Sequence, residues 1–344
     1  MSVIMKKKKS NLIALAITII FTIIVIWNVN FGELVMLCGL MNKHYILPYM
    51  VIFAIVMLAR AIRWQLLLPK VKCKLYDLYE IYMTSNLLNV FLPARAGDVF
   101  RGVYFGQRYN LSKLSMVGTV LAERILDGLS VICLLSLGII IHYRSQFVLN
   151  LLMLAIVMFV GSFVFMLWVY KYKKVDFICE KIKNCTLKMP SELSGKICGF
   201  VDKCNPFLNL FMNGFETFAD LKKMGIVAIF SAISWVGDCF MVCFLLSAFG
   251  IDSHFTISLF VVSFIALSTI IPQSSMYIGL YQGAFILAAQ LFGIGKTIAL
   301  SVALTQQLLM IFVYSIFTLI FVWRNQLKFS DLKRNEVLDD GEST

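Results

Sequence analysis

Arg95, Asp98 and Arg101 put charge where it is hardest to accommodate. They stand in the stretch Asn89-Val-Phe-Leu-Pro93-Ala-Arg95-Ala-Gly97-Asp98-Val-Phe-Arg101, between apolar segments of membrane character. An ionisable group at mid-bilayer costs about 2.5–3.5 kcal/mol on insertion scales, and Pro93 followed by Gly97 frees backbone groups that lipid cannot satisfy. Proline disfavours helix in the residue before it, so Pro93 predicts the end of a descending piece. Gly97 permits a tight turn, and Asp98 falls where a helix N-cap would offer its carboxylate to free N–H groups. A helix N-terminus flanked by two arginines is an anion site, because the dipole favours negative charge and guanidinium grips phosphate in bidentate fashion. The same residues read equally as a cytoplasmic turn whose arginines obey the positive-inside rule.

A second charged group, Glu123-Arg124-Ile-Leu-Asp127, lies inside a long apolar run. On a helix, spacings of three and four put the three charges on one face. Two acids and one base call for another cation, and Arg95, Arg101, Arg60 and Arg63 are the candidates. The group reads either as an ion-pair network clamping the broken stretch to a span or as the wall of a path for a charged headgroup. A second breaker-rich stretch, Ile271-Pro272-Gln-Ser-Ser-Met-Tyr-Ile-Gly279-Leu-Tyr-Gln282-Gly283, carries no charge. Pro272 and Gly279 break it, while Ser274, Ser275 and Gln282 would line the other half of a path. Asp238 is an isolated intramembrane acid, and Gln306 and Gln307 read first as interhelical hydrogen bonds of about 0.6 kcal/mol.

The elements that must hold these residues follow from composition. At 60% hydrophobic and 15% charged residues, with mean hydropathy +0.85, the chain is all-α, a polytopic membrane helix bundle. A net charge of +12 would suggest nucleic acid in a soluble chain, but the basic residues collect between apolar runs, the positive-inside pattern, so no nucleic-acid partner is expected. Of the nine cysteines, Cys133, Cys239 and Cys243 sit in apolar runs and read as buried thiols, and Cys179, Cys185, Cys198 and Cys204 of the polar loop lack the short spacings of zinc sites, so neither metal nor cofactor is expected. Six full crossings are predicted, at Leu12–Trp27, Tyr45–Leu68, Met116–Ile141, Phe147–Tyr170, Ile226–Phe249 and Ile298–Trp323. Lys6–Lys9 precede the first without a cleavage site, so it reads as a retained span. Two split regions, Leu78–Tyr109 and Phe255–Phe292, begin and end on the same face by charge placement and are predicted to be hairpins dipping in from opposite sides. Two short tilted crossings in each would keep the same topology. The arrangement is an inverted repeat, in which paired broken helices mark the site. Both termini are expected in the cytoplasm, as are the loop 171–223 and a disordered tail, 326–344, behind a transmembrane domain spanning 1–325. Within the loop, patches such as Val175–Ile182 suit amphipathic helices lying on the membrane.

The pattern Asn89-x3-Pro93-x-Arg95-x-Gly97-Asp98-x2-Arg101, followed about twenty residues later by Glu123-Arg124-x2-Asp127, resembles the signature of the lysylphosphatidylglycerol synthase transmembrane-region family of flippase-like proteins. The likeness extends to Arg60–Trp64 and to the second hairpin, from about residue 12 to 325. It implies a stand-alone member, without the soluble aminoacyltransferase domain, in a bacterial or archaeal cell membrane. The implied function is translocation of a phospholipid or polyprenyl-phosphate-linked headgroup between leaflets, with membrane lipids or a polyprenyl-linked glycolipid as partners and a glycosyltransferase or lipid synthase as an associate. The implied headgroup site is Asn89, Arg95, Asp98, Arg101, Glu123, Arg124, Asp127 and Gln282. The alternative is a membrane-bound lipid transferase of the lysylphosphatidylglycerol synthase type, or a glycosyltransferase-associated subunit. One departure stands out: the family's Gly-x-x-Glu in the second hairpin is Gly279-Leu-Tyr-Gln282 here. No Gly-x4-Gly-Lys-Ser/Thr phosphate loop is present, so transport would use a gradient or run downhill.

Overall fold

Apolar runs long enough to cross a bilayer alternate with shorter ones that are not, and the helices follow that division. The computed structural model describes positions 32, 36 and 39–325, apart from 70, 93–94, 142–145, 172–174, 187–196, most of 200–219, 253–254 and 270–278. The predicted first span, the tail, and Pro93, Pro272, Ser274 and Ser275 lie outside the described residues. Every regular element among those described is helical. In chain order these are α1 (Ile46–Leu67), α2 (Leu75–Phe91), α3 (Ala96–Arg108), α4 (Lys113–Ile141), α5 (Gln146–Ala155), α6 (Gly161–Lys171), α7 (Val175–Thr186), α8 (Leu221–Ala248), α9 (Phe255–Ser268), α10 (Leu280–Gln290) and α11 (Lys296–Asn325). One π-helical turn, Ile156–Val160, joins α5 to α6. The five later predicted crossings are all helices long and apolar enough to span a membrane. Their outward faces are apolar, as at Leu308, Phe312 and Leu319 of α11.

The split regions are helical hairpins. At 1.5 Å per residue, the 17 residues of α2 and 13 of α3 reach about 26 and 20 Å, and the 14 of α9 and 11 of α10 about 21 and 17 Å. Each falls short of the ~30 Å hydrocarbon core. The returning arms stop in the same way: Asn110 follows α3 and Gly293 follows α10 with positive φ. The N–H groups of Leu111 and Ile294 then reach back to the carbonyls of Gly106 and Ala289, which satisfies the last-turn acceptors.

Packing relates the two halves. α1 lies antiparallel on α8, as the bond from Asn42 N–H to the Ala248 carbonyl requires. Each hairpin's first arm packs on the last helix of the other half, α2 on α11 and α9 on α4, and each returning arm packs on the span that follows it. Asp77 at the start of α2 pairs with Arg324 at the end of α11, while Phe260 of α9 closes over Gly138 near the end of α4. The hairpins therefore open at opposite ends of the bundle. In the loop, α7 seats Cys179 near Val169, Val201 and Val227.

At the tip of the first hairpin α2 and α3 touch through backbone. A Cβ at Gly97 would meet the Ser85 carbonyl and stand 2.7 Å from the Asn89 nitrogen, and Ser85 Oγ donates to the Gly97 carbonyl at 2.8 Å. Gly225 on α8 has nothing within 4 Å of its Cβ position. Gly97→Ala is therefore expected to destabilise the fold by about 1–3 kcal/mol through overpacking, whereas Gly225→Ala gains up to about 1 kcal/mol of helix propensity. Thermal unfolding in detergent should order the variants Gly97→Ala, wild type, Gly225→Ala from lowest to highest midpoint.

Candidate functional site

Glu123 of α4 sits fully buried between two arginines. Its Oε1 pairs with Arg63 Nη2 of α1 at 2.7 Å and its Oε2 with Arg101 Nη2 of α3 at 2.6 Å. Tyr82 donates its hydroxyl to Oε1 at 3.3 Å. Asp127, one turn further along α4, takes Arg63 Nη1 at 2.7 Å and Arg124 Nη1 at 3.0 Å. Arg124 Nε reaches Asp98 of α3 at 3.2 Å. Arg101 is 1% exposed, sandwiched between the rings of Trp64 and Tyr82 at 4.6 and 4.5 Å, a cation–π enclosure on both faces. Two helices, α1 and α3, are thus pinned to α4 by charge, and α2 adds the Tyr82 hydroxyl.

The start of α3 differs from the sequence expectation. Asp98 was predicted at the N-cap, but the helix begins at Ala96 and Arg95 precedes it in the left-handed conformation, φ 55° and ψ 40°. Gly97 has to lie against α2, so the helix starts as soon as the chain leaves Arg95. The free N–H of Asp98 is satisfied from the neighbouring helix, by Asn89 Oδ1 at 3.1 Å, while Asn89 Nδ2 donates to the Asp98 carboxylate at 3.0 Å. Asn89 does the capping that the sequence assigned to Asp98.

A cavity of about 390 Å³ opens beside this cluster, lined by residues of both hairpins. Arg95, Asn89, Arg124 and Asp127 line it from the first half, and Trp235, Asp238, Tyr281, Gln306, Gln307 and Tyr314 from the second. Phe159 of the π-turn also lines it, resting on Gly128, whose missing side chain admits the ring. Arg60 joins the wall from α1, paired with Asp238 of α8. Arg101 and Glu123 stand behind the wall and do not line it. Gln282 is also behind it: its Nε2 donates to Gln307 Oε1 at 2.5 Å and its Oε1 accepts from Gly279 N–H at 2.8 Å, where Gly279 has φ 88°.

Charges around the cavity nearly balance. Arg60, Arg63, Arg101 and Arg124 are each salt-bridged, and their partners are Asp98, Glu123, Asp127 and Asp238, four against four. Arg95 is the fifth arginine. It forms no hydrogen bond or ion pair among the described residues, and its buried Nε has no partner. Sequence reasoning grouped Arg95 with Arg101, yet only Arg95 faces the cavity. It passed over Trp235 and Tyr281 altogether. The available signal was Trp235 three residues before the intramembrane acid Asp238, and Tyr281 beside the helix-opening Gly279.

Removing the central carboxylate strands two buried cations, the costly way to break a buried pair. Glu123→Gln is expected to lose about 3–5 kcal/mol, read as a large drop in folded yield and unfolding midpoint in detergent. An Arg60→Gln exchange at the more exposed Asp238 pair should cost less by the same measurement.

No curated protein and no solved structure matches the chain. The family described as the lysylphosphatidylglycerol synthase TM region matches residues 11–317, a range that contains both hairpins, the Glu123 cluster and the whole cavity wall. The chain belongs to the lysylphosphatidylglycerol synthase TM region family.

Proposed function

We propose that this membrane protein passes the phosphate-bearing headgroup of a lipid between the two leaflets, with Arg95 as its phosphate ligand. The observation that carries this reading is the one unpaired cation on a cavity wall where every other described charge is paired. An unpaired guanidinium at the depth of the hairpin tips is held there against its hydration cost, and a single anion would complete the balance. The backbone supports the same reading. A left-handed non-glycine residue costs about 1–3 kcal/mol, and that cost falls on the residue that faces the cavity. Arg124 and Asn89, already bonded to Asp98, hold α3 in place behind it.

More of the basic residues at helix ends collect at one end of the bundle, Lys72, Lys74, Arg108, Lys113, Lys222, Lys223 and Arg324, where the first hairpin opens, than at the other, which has Lys43 and Lys296. On the positive-inside rule that end faces the cytoplasm, in the cell membrane, and the cationic hairpin tip then belongs to the cytoplasmic half of the path. Movement through a site of this kind runs downhill or on an ion gradient.

The test uses purified protein in vesicles containing a phospholipid with a quenchable headgroup reporter, with equilibration across the bilayer as readout. Arg95→Gly removes a charge-assisted contact of about 1.5–3 kcal/mol, so transport is expected to fall roughly 10- to 100-fold. The same substitution relieves the left-handed backbone, so the unfolding midpoint should hold or rise, which separates lost function from lost fold. Undiminished lipid movement in Arg95→Gly would sink the proposal.

A further inference from the structure

The second half of the cavity wall has a different chemistry from the first. Its one charge, Asp238, is taken by Arg60. What it adds is a set of buried polar atoms with no protein partner: Trp235 Nε1, Tyr281 Oη and Gln306 Oε1. Trp235 is 8% and Gln306 6% exposed, and with Tyr281 both line the cavity. An indole N–H donates, an amide oxygen accepts and a phenol does either. A buried polar atom without a partner costs about 1–3 kcal/mol, so these positions call for a ligand that answers both kinds of group.

We infer that the lipid carried here bears, beyond its phosphate, an uncharged hydroxyl-rich group such as a sugar or cyclic polyol. This rests on the phosphate-ligand reading of Arg95 and names the class of headgroup attached. A hydroxyl both donates and accepts, so neighbouring hydroxyls on a ring can satisfy Trp235, Tyr281 and Gln306 together. A primary ammonium has three donors and no acceptor. It would leave the Trp235 N–H unanswered and would want a free carboxylate, whereas both carboxylates on the wall are occupied, Asp127 by Arg63 and Arg124 and Asp238 by Arg60. The rings of Trp235 and Tyr281 add apolar surface to the wall that suits the C–H side of such a ring. A volume of about 390 Å³ lies near the small end of ligand sites, with room for a phosphate and roughly one sugar-sized group.

The two halves carry this difference at matching positions. Asp98 is the third residue of α3 and pairs with Arg124, the twelfth of α4. Gln282 is the third residue of α10 and pairs with Gln307, the twelfth of α11. The same joint between returning arm and following span is ionic in one half and neutral in the other. A carboxylate at position 282 would place a negative charge behind the wall that holds Tyr281. The amide there keeps this half neutral.

Purified protein would be reconstituted with four probe lipids: an inositol phospholipid, a polyprenyl-phosphate monosaccharide, an ethanolamine phospholipid and a lysyl-glycerol phospholipid. Outer-leaflet diols are read by periodate and outer-leaflet amines by an impermeant acylating reagent. One or both diol-bearing lipids should equilibrate at least roughly ten-fold faster than either amine, as expected of a site built to bind hydroxyls. If only one moves, the anchor, diacylglycerol or polyprenyl, is identified as well. In Tyr281→Phe combined with Gln306→Leu, the preference should shrink to about threefold or less. Amine lipids moving as fast as diol lipids, or a preference unchanged in the double variant, would overturn the inference while leaving Arg95-dependent transport standing. If no lipid depends on Arg95, the transport reading itself fails.

Discussion

Charge pairing at low dielectric is the constraint on which the rest of this molecule depends. A bilayer interior tolerates ionisable groups only when they are paired or face a polar space, and Glu123 is where that requirement is met most tightly. It holds Arg63 from α1 and Arg101 from α3, at 2.7 and 2.6 Å, so the register of three helices is fixed by one carboxylate. Packing completes the fixing: Trp64 and Tyr82 cover both faces of the Arg101 guanidinium, and Trp64 Nε1 in turn donates to Thr119 Oγ1 of α4 at 3.2 Å. Hydrophobic burial cannot specify such a register in lipid, because the tails outside are as apolar as the core. Directional ionic bonds can.

Once the cluster is pinned, the hairpin tip inherits its position. Asp98 is tied to Arg124 on one side and Asn89 on the other, Gly97 lies flush against α2, and α3 is entered through Arg95 in the left-handed conformation. The side chain that results is the one arginine the cluster does not consume. Its place follows from geometry imposed elsewhere, which is how a cation comes to stand unpaired on the cavity wall.

Much of this was legible in the sequence, and the exceptions have physical causes. Spans and hairpins follow from the length of apolar runs and the breakers between them, so Met116–Ile141 and Leu78–Tyr109 coincide with α4 and the α2–α3 pair to within a few residues. The need of Glu123 and Asp127 for outside cations followed from counting charges on one helical face, and Arg63 and Arg101 meet it. What periodicity could not decide is which of two neighbouring arginines is consumed. Arg101 belongs to a helix whose face is set by α4, while Arg95 stands outside any helix, where spacing carries no direction. The cap was misassigned for a related reason: Asn89 reaches Asp98 across the hairpin, and a local pattern cannot reveal a cap supplied by another helix. Trp235 and Tyr281 look like ordinary apolar residues until the fold turns them toward one space.

The packing also bears on how such a path can open. Because α2 lies on α11 and α9 on α4, each half of the repeat holds the last helix of the other. Arg324 adds a polar tie, reaching Glu80 at 2.8 Å as well as Asp77. Rocking one half rigidly against the other would have to break both crossed contacts and the α1–α8 seam that carries the Arg60–Asp238 pair. In the second half α10 is joined to α11 through the neutral Gln282–Gln307 bond, a weaker joint than the ionic one between α3 and α4, since hydrogen bonds between charged groups are roughly twice as strong as neutral ones. Of the two joints the neutral one between α10 and α11 is therefore the easier to break, and the ionic one beside the Glu123 cluster the harder.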